Sequence, residues 1–307
     1  KRIAVIGGGV GGCAAAHALG MAGAEVVVFE AGPQLGGRLK TVETKVGRWP
    51  VRADVGMDSA ADCCPALDSL VQLAGLHERV STADARTKLV NAAKSTPLRL
   101  LSSLYFLWNS EAFPFKLRLR LAKLKLMSVL PRRRLDVHDP LSMAGAGGRG
   151  VRAKRAVAKV VGGQLQRELV EPLCRASFGV SPRRVPLEYM LSLFGDSSWG
   201  TRWFLDDGMA SLCRGLVHPP GGDVAKAVRL NTIVTTLDTR PDGTVLVTAA
   251  KGASPPTGEV FDGVVVCLPA PAAHALVRPL PEAVVSHQLK TFAETAVYHP
   301  ALVVVFL

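Results

Sequence analysis

Apolar and polar positions fall along this chain in blocks of changing period, and the blocks read as an α/β protein. Residues 2–6 (RIAVI) form a short β-branched run, 13–22 (CAAAHALGMA) an alanine-rich helix, and 25–30 (EVVVFE) a second strand closing on Glu30. Residues 41–49 mix polar and apolar positions and predict a hairpin or an extended loop. Between 65 and 80, Leu67, Leu70, Val71, Leu73, Ala74 and Leu76 recur at helical spacing, with Pro65 near the start and Gly75 near the end. The character then changes. Residues 98–108 are strongly apolar, 114–130 (PFKLRLRLAKLKLMSVL) interleave bases with leucines, and 145–150 (GAGGRG) read as a loop. Residues 162–186 run from helix to loop, and 187–194 (LEYMLSLF) predict a buried helix. Strand alternation returns at 228–249 around the turn Pro241-Asp242-Gly243. Residues 261–269 (FDGVVVCLP) predict a buried parallel strand ending in proline, and the last ten residues are another apolar strand.

The join between the first strand and the first helix carries the chemistry. Gly7-Gly8-Gly9-Val10-Gly11-Gly12 satisfies G-x-G-x-x-G, with Gly7, Gly9 and Gly12 in the required places. Strand, helix and second strand supply the βαβ context that a dinucleotide fingerprint needs. Gly7 allows a tight turn, Gly9 lets the backbone approach a pyrophosphate, and Gly12 lets helix and strand pack closely. The N–H groups and dipole at the helix start then face the phosphate charge. Glu30, eighteen residues beyond Gly12, stands where a carboxylate can accept hydrogen bonds from a ribose hydroxyl pair. An acid there disfavours a 2′-phosphate and so argues against NADP.

Composition narrows the class. At 307 residues and 48% hydrophobic content the chain can hold one large or two ordinary domains with a sizeable core. No uninterrupted apolar run reaches about eighteen residues, so a spanning helix is not expected. A strand starting at residue 2 leaves no room for a leader peptide within the sequence. The six cysteines (Cys13, Cys63, Cys64, Cys174, Cys213, Cys267) show no C-x-x-C and no histidine spacing for a metal, so neither zinc nor a disulfide framework is expected. Reduced, buried thiols fit an intracellular protein, cytoplasmic or organellar. Neither H-E-x-x-H nor G-x-S-x-G is present.

The charge of +12 is unevenly placed: residues 86–175 carry nineteen Lys or Arg against five Asp or Glu, a net of +14. Nucleic acid is not the expected partner, because no interleaved aromatics accompany the bases. Two readings of 114–134 stay open. One is a core helix whose bases reach solvent. The other is a helix lying in a membrane interface, with Lys116, Arg120, Lys123 and the following Arg132-Arg133-Arg134 reaching anionic head groups, so that the protein is peripheral to a membrane.

Glu30-Ala31, followed by Gly36-Gly37-Arg38, resembles the "EA…GGR" segment of the flavin amine oxidase superfamily, which includes monoamine and polyamine oxidases, protoporphyrinogen oxidases and carotenoid desaturases. Further segments are similar to the same group: Asp54-Val55-Gly56-Met57 to its "DlG" stretch, 207–212 (DGMASL) to its "GGm.sL" turn, 228–237 to its "i.lnt.V..i" segment, and 261–269 to its "aD.VV.a.P" strand. The resemblance implies FAD as cofactor and a Rossmann-like FAD-binding domain, a βαβ unit on a parallel sheet, interrupted by a largely helical substrate domain. It assigns 1–85 and 206–270 to the FAD-binding domain, 86–205 to the substrate domain, and 271–307 to the start of a return into the latter. It places Gly7, Gly9, Val10, Gly11, Gly12, Glu30, Ala31, Gly37 and Arg38 along the nucleotide, with Arg38 as counter-charge to the pyrophosphate. It sets Asp54, Val55, Gly56 and Met57 along the flavin ring, and Val234 against the adenine.

Two departures qualify that picture. Residues after Ala301 are all apolar where the amine oxidases carry a lysine, and the superfamily's closing "GD…G…GA..SG" segment is absent, so a fragment is expected. The implied function is FAD-dependent removal of hydride from a C–H bond of a small molecule, lipophilic or anionic, such as a porphyrinogen or a polyene. The alternatives are an amine oxidase, a nucleotide-binding remnant without catalysis, or a membrane-peripheral binding module. No acid/base pair is assigned: His138 and His299 are isolated in the sequence and read as structural.

Overall fold

Three β-branched residues in five make β1 (Arg2–Ile6) a strand, and the glycine turn delivers it straight into α1 (Val10–Met21) and back along β2 (Glu25–Phe29). A hairpin of β3 (Thr41–Val46) and β4 (Trp49–Asp54) follows, then β5 (Ala60–Ala61), α2 (Pro65–Leu73) and β6 (Val80–Asp84). Next come the hairpin β7 (Lys88–Asn91) and β8 (Lys94–Pro97), the helices α3 (Phe115–Val129) and α4 (Glu171–Phe178), and strand β9 (Thr201–Leu205). The chain closes with α5 (Ser211–Val217), β10 (Ala227–Arg229), β11 (Thr232–Thr239), β12 (Val245–Lys251), β13 (Thr257–Phe261), β14 (Gly263–Val266), α6 (Ala270–Val277) and α7 (His287–Thr295). The structure is a computed structural model that describes residues 1–61, 65–84, 88–91, 94–97, 114–129, 162–164, 166–185 and 201–296. The apolar stretch 98–108, the loop 145–150, the helix expected at 187–194, Arg132 to Arg134, Cys63, Cys64, His138, His299 and the last strand lie outside those residues.

A four-stranded sheet in the order β10-β2-β1-β14, parallel throughout, is the centre of the molecule. Successive side chains on a strand point to opposite faces, so each strand builds two cores. Val5, Val26 and Val28 face the helical layer and pack with Cys13 and Ala16 of α1 and with Leu212, Leu216 and Val217 of α5. Ala4, Ile6, Val27 and Phe29 face the other way, onto the antiparallel sheet β11-β12-β13 and Leu276 of α6. Burial on both sides is why β1 and β2 read as unbroken apolar runs and not as alternating ones.

Two segments that the sequence presents as single strands are split. Asn231 adopts a left-handed conformation (φ 54°) and separates β10, in the parallel sheet, from β11, in the antiparallel one. Asp262 separates β13 from β14; its carboxylate accepts the Arg2 N–H at 2.6 Å and its own N–H donates to the Arg2 carbonyl at 2.8 Å. The second half, β14, is half-buried because it is the outer strand of the described sheet. Between 86 and 205 the described residues include α3 and α4 but also the β7–β8 hairpin and β9, which pairs antiparallel with β5 and β6. Trp203 of β9 is a core residue whose buried indole N–H has no acceptor among the described residues. In α3, Leu121 and Leu124 are buried, whereas Phe115, Leu119 and Leu126 are exposed. No helix of the described residues is long and apolar enough to cross a membrane.

Candidate functional site

The loops after the carboxyl ends of the parallel strands converge on the glycine turn, where open α/β sheets bind their ligands. Gly7 has φ 107°, and a Cβ on it would sit 2.5 Å from the Cys267 carbonyl at the end of β14. A Cβ on Gly12 would sit 1.8 Å from the Gly7 carbonyl, so α1 can start against β1 only with glycine there. Gly9 and Gly11 differ. The nearest atom to a Cβ on Gly9 is 3.9 Å away, and around Gly11 nothing lies within 4 Å. The inner glycines are closed by the fold and the outer ones look into open space. Gly9 caps α1 without a side chain, and the first turn carries no acid. The N–H groups of Val10, Gly11 and Gly12 therefore lack intrahelical acceptors at the positive end of the helix dipole.

Glu30 follows β2 and is locked in place. One carboxylate oxygen accepts the Gly8 N–H and the other the Gly32 N–H, both at 2.7 Å. A carboxylate offers about four lone-pair sites, so two remain for hydroxyl donors. Ala31 beside it is exposed. The chain then folds back across the turn: the Gly36 N–H donates to the Gly8 carbonyl at 2.8 Å, and Gly36 forms an isolated parallel bridge with Gly9. Gly37 (φ 56°) lies flush on Gly9, where an added Cβ would be 3.2 Å from the Gly9 Cα. Arg38 is exposed, and no ion pair or hydrogen bond reaches its guanidinium among the described residues.

Residues 54–57 run back along this second glycine segment. Val55 N–H donates to the Lys40 carbonyl at 2.8 Å and Met57 N–H to the Arg38 carbonyl at 3.1 Å, while a Cβ on Gly56 would lie 1.9 Å from the same Arg38 oxygen. Asp54 points elsewhere: one oxygen accepts the Thr41 hydroxyl at 2.5 Å and the Met209 N–H at 3.0 Å, and the Thr41 hydroxyl accepts the Ala210 N–H at 3.1 Å. Asp54 thus ties the β3–β4 hairpin to the turn that starts α5.

Val234 stands apart, on β11, joined to the rest through the Thr232 N–H, which donates to the Glu30 carbonyl at 2.9 Å. The Gly252 N–H bond to the Asn231 carbonyl sets the alternation of the β11–β12 ladder, which turns the peptide groups of Val234 toward the free edge of β11. All the residues singled out in the sequence from Gly7 to Met57 therefore form one contiguous group, with Val234 one strand away.

Sequence reasoning missed Thr41 and gave no site role to Gly36 or to the main chain of Met209 and Ala210, all of which act through contacts far apart in the chain. It also missed a thiol cluster beneath the turn. The Cys13 thiol donates to the Gly8 carbonyl at 3.4 Å, and its hydrogen bond with Cys213, then burial, push its pKa up. Burial raises Cys267 as well, and apart from this cluster it pushes the Cys174 thiol of α4 up to about 11. No group of three or more His, Cys, Asp or Glu suited to a metal occurs among the described residues.

A glycine turn at the carboxyl edge of a parallel sheet, a carboxylate after the second strand and an antiparallel sheet behind define a Rossmann-type α/β fold. Comparison with known sequences narrows the class: the model of the flavin containing amine oxidoreductases matches residues 10–306, and the chain belongs to that family. Protoporphyrinogen oxidase of Nicotiana tabacum mitochondria is 38% identical over 103 residues, 34% of this chain and 20% of the relative. Among solved structures, an oxidoreductase from Methanosarcina mazei is similar with a TM-score of 0.68 at 16% identity, covering 96% of this chain and 65% of that one. Cyclohexylamine oxidase from Brevibacterium oxydans IH-35A is similar with a TM-score of 0.64 at 20% identity, covering 95% and 62%. The chain thus spans less than two thirds of the length of these relatives.

Proposed function

We propose that this chain supplies the nucleotide grip of an FAD-dependent oxidoreductase that takes hydride from a C–H bond of a lipophilic or anionic small molecule. The observation that carries the reading is the two-sided glycine turn: Gly7 and Gly12 are filled by the fold, while Gly9 and Gly11 leave a cradle open beside unpaired helix N–H groups. Those residues fit a dinucleotide pyrophosphate. Val10, Gly11 and Gly12 would donate to it, Gly37 would let it lie against the turn, and Arg38 would balance its charge. Glu30, already held by two backbone N–H groups, would accept the ribose hydroxyls without needing to reorganise. The outward peptide of Val234 would meet the adenine, and the main chain of 54–57 would run beside the ring. FAD, when bound, supplies the acceptor for hydride and passes the electrons on to oxygen or another oxidant. The protein's part is to hold the ring, keep water out and orient the substrate. In this reading 1–85 and 206–270 form the FAD-binding domain, 86–205 the substrate domain, and 271–307 leads back toward the latter.

The substrate class follows from charge. Residues 115–129 hold five bases and no acid, which suits an anionic or amphiphilic molecule better than an amine. A porphyrinogen has that character, and the relative similar over 103 residues is named for one. Buried free thiols at Cys13, Cys174 and Cys213 fit a reducing intracellular compartment.

The test is reconstitution with FAD, followed in the visible flavin bands, for the wild type and for Arg38→Ala. The Arg38 side chain is exposed and makes no ion pair or hydrogen bond among the described residues, so its loss is expected to leave the unfolding midpoint unchanged. FAD affinity should fall about 10- to 100-fold, the value of a charge-assisted hydrogen bond. A protein that shows no flavin bands with FAD in excess, or equal affinity in the variant, would sink the assignment.

A further inference from the structure

The β3–β4 hairpin keeps one edge open. Among the described residues its strands pair only with each other, so each carries an outer row of peptide groups. The ladder decides which groups lie there. Val55 N–H donates to the Lys40 carbonyl, and by alternation Val42–Ala53, Thr44–Val51 and Val46–Trp49 are also hydrogen-bonded pairs. The peptide groups of Thr41, Glu43 and Lys45 therefore point outward from β3, and those of Pro50, Arg52 and Asp54 outward from β4. Pro50 has no N–H to offer, which blunts the β4 edge. On β3 the Gln34 side chain takes the Thr41 carbonyl at 3.4 Å, which leaves Glu43 and Lys45, both exposed, with Thr44 between them.

We propose that a second copy of this chain adds its own β3 to this edge, antiparallel about a two-fold axis at Thr44, to make a four-stranded sheet. The edge is self-complementary in one register. With Thr44 opposite Thr44, Glu43 faces Lys45 of the second copy, Lys45 faces its Glu43, and Val42 faces its Val46. Each Glu43–Lys45 pair also exchanges two peptide hydrogen bonds. A slip by two residues, the smallest that keeps side chains on their faces, sets Glu43 against Glu43 or Lys45 against Lys45, and like charges directly opposite are destabilising. Charge thus fixes both the register and the occupant, since a different chain would have to carry the same acid and base in reverse order. Val42, Val46, Trp49, Val51 and Ala53 share one face of the hairpin, and Val42, Val46 and Trp49 are 38%, 40% and 65% exposed. Pairing joins two such faces into one wider sheet, where a lone two-stranded hairpin is marginal. The edge is held ready: the Arg52 guanidinium donates to Glu43 at 2.9 Å and to Asp207 at 3.0 Å, and Asp54 accepts the Met209 N–H. Little ordering is left to be done on association. The pairing leaves the nucleotide turn untouched and does not depend on FAD.

Sedimentation of the full chain over a concentration series tests it, and the wild type is expected to dimerise. Lys45→Glu and Glu43→Lys each turn both attractive pairs repulsive and should weaken the dimer about 10- to 100-fold. Mixed in equal amounts, the two variants should dimerise again, because every acid then faces a base. Both positions are exposed, so circular dichroism melts should match the wild type. A readout without variants stands beside these: the Glu43 and Lys45 amides of the wild type should exchange with deuterium more slowly as protein concentration rises. If either variant proves unfolded, that exchange decides alone. The proposal is overturned if the wild type stays monomeric up to its solubility limit, or if those amides exchange equally at every concentration. It is also overturned if a dimer forms that neither variant weakens or that mixing fails to restore, because another surface would then hold the two copies together.

Discussion

Gly12 and Gly11 are adjacent, identical in the sequence and opposite in consequence. Gly12→Ala drives a Cβ to 1.8 Å from the Gly7 carbonyl, and neither backbone segment can yield without separating α1 from β1. We expect it to lower unfolding free energy by about 3 kcal/mol or more in urea titration. Gly11→Ala meets nothing within 4 Å and lies in a helix, so stability should be unchanged or raised by up to about 1 kcal/mol. The contrast shows what a sequence makes legible at this scale. Gly7 and Gly12 can be read because backbone geometry admits no other residue, Gly9 because it completes their spacing, and Glu30 because a strand's end fixes its address. That the Glu30 carboxylate is taken up by the Gly8 and Gly32 N–H groups depends on where Gly32 turns, and no residue type announces it.

Packed interfaces between elements are reinforced here by single polar ties. Asp54 and Thr41 fasten the β3–β4 hairpin to the Met209–Ala210 turn, and 155 residues separate Asp54 from the Met209 N–H it accepts. Asp54→Ala leaves that N–H and the Thr41 hydroxyl short of an acceptor and should cost about 1–3 kcal/mol in thermal or urea unfolding. Adding Thr41→Ala should cost less than the sum of the two single changes, because both act on one network. Ties of this length are invisible in sequence, as are the breaks at Asn231 and Asp262. Residues 228–237 read as one alternating run and 261–269 as one apolar run, and only the change of sheet separates the strands within them. In α3 the bases recur at nearly every second or third position, so periodicity alone could not sort its leucines into buried and exposed sets.

At the scale of the whole molecule, a charged cluster staples the two sheets together. Arg229 and Arg2 both pair with Glu259, Arg2 also with Glu25, and Lys226 with Glu25; the two guanidinium groups lie over the Phe29 and Phe261 rings. The hydrogen bond from Arg229 holds the Glu259 carboxyl below its ordinary value, with burial opposing and Arg2 adding to the effect. A carboxyl with a lowered folded pKa contributes stability that is complete above the unfolded value, near pH 4.3, and is lost as pH falls through the folded value. Unfolding midpoints measured downward from about pH 5 should therefore drop more steeply in the wild type than in Glu259→Gln. The variant should be the less stable protein at pH 7, and the gap should narrow in acid.

The sheet order also sets a schedule. β1 is flanked by β2, about twenty residues away in the chain, and by β14, some 260 residues away. At roughly 5–20 residues per second, a ribosome releases β14 about 13–50 s after β1. Through that interval one edge of β1 offers unpaired N–H and C=O groups to any strand that meets it. The Cys267 carbonyl that backs Gly7 arrives with β14, so the turn lacks its rear wall for the same period. The glycine turn is thus made early relative to its own rear wall and waits some 260 residues of synthesis for it. A chaperone that shields the β1 edge would guard the growing chain where it is most open to mispairing.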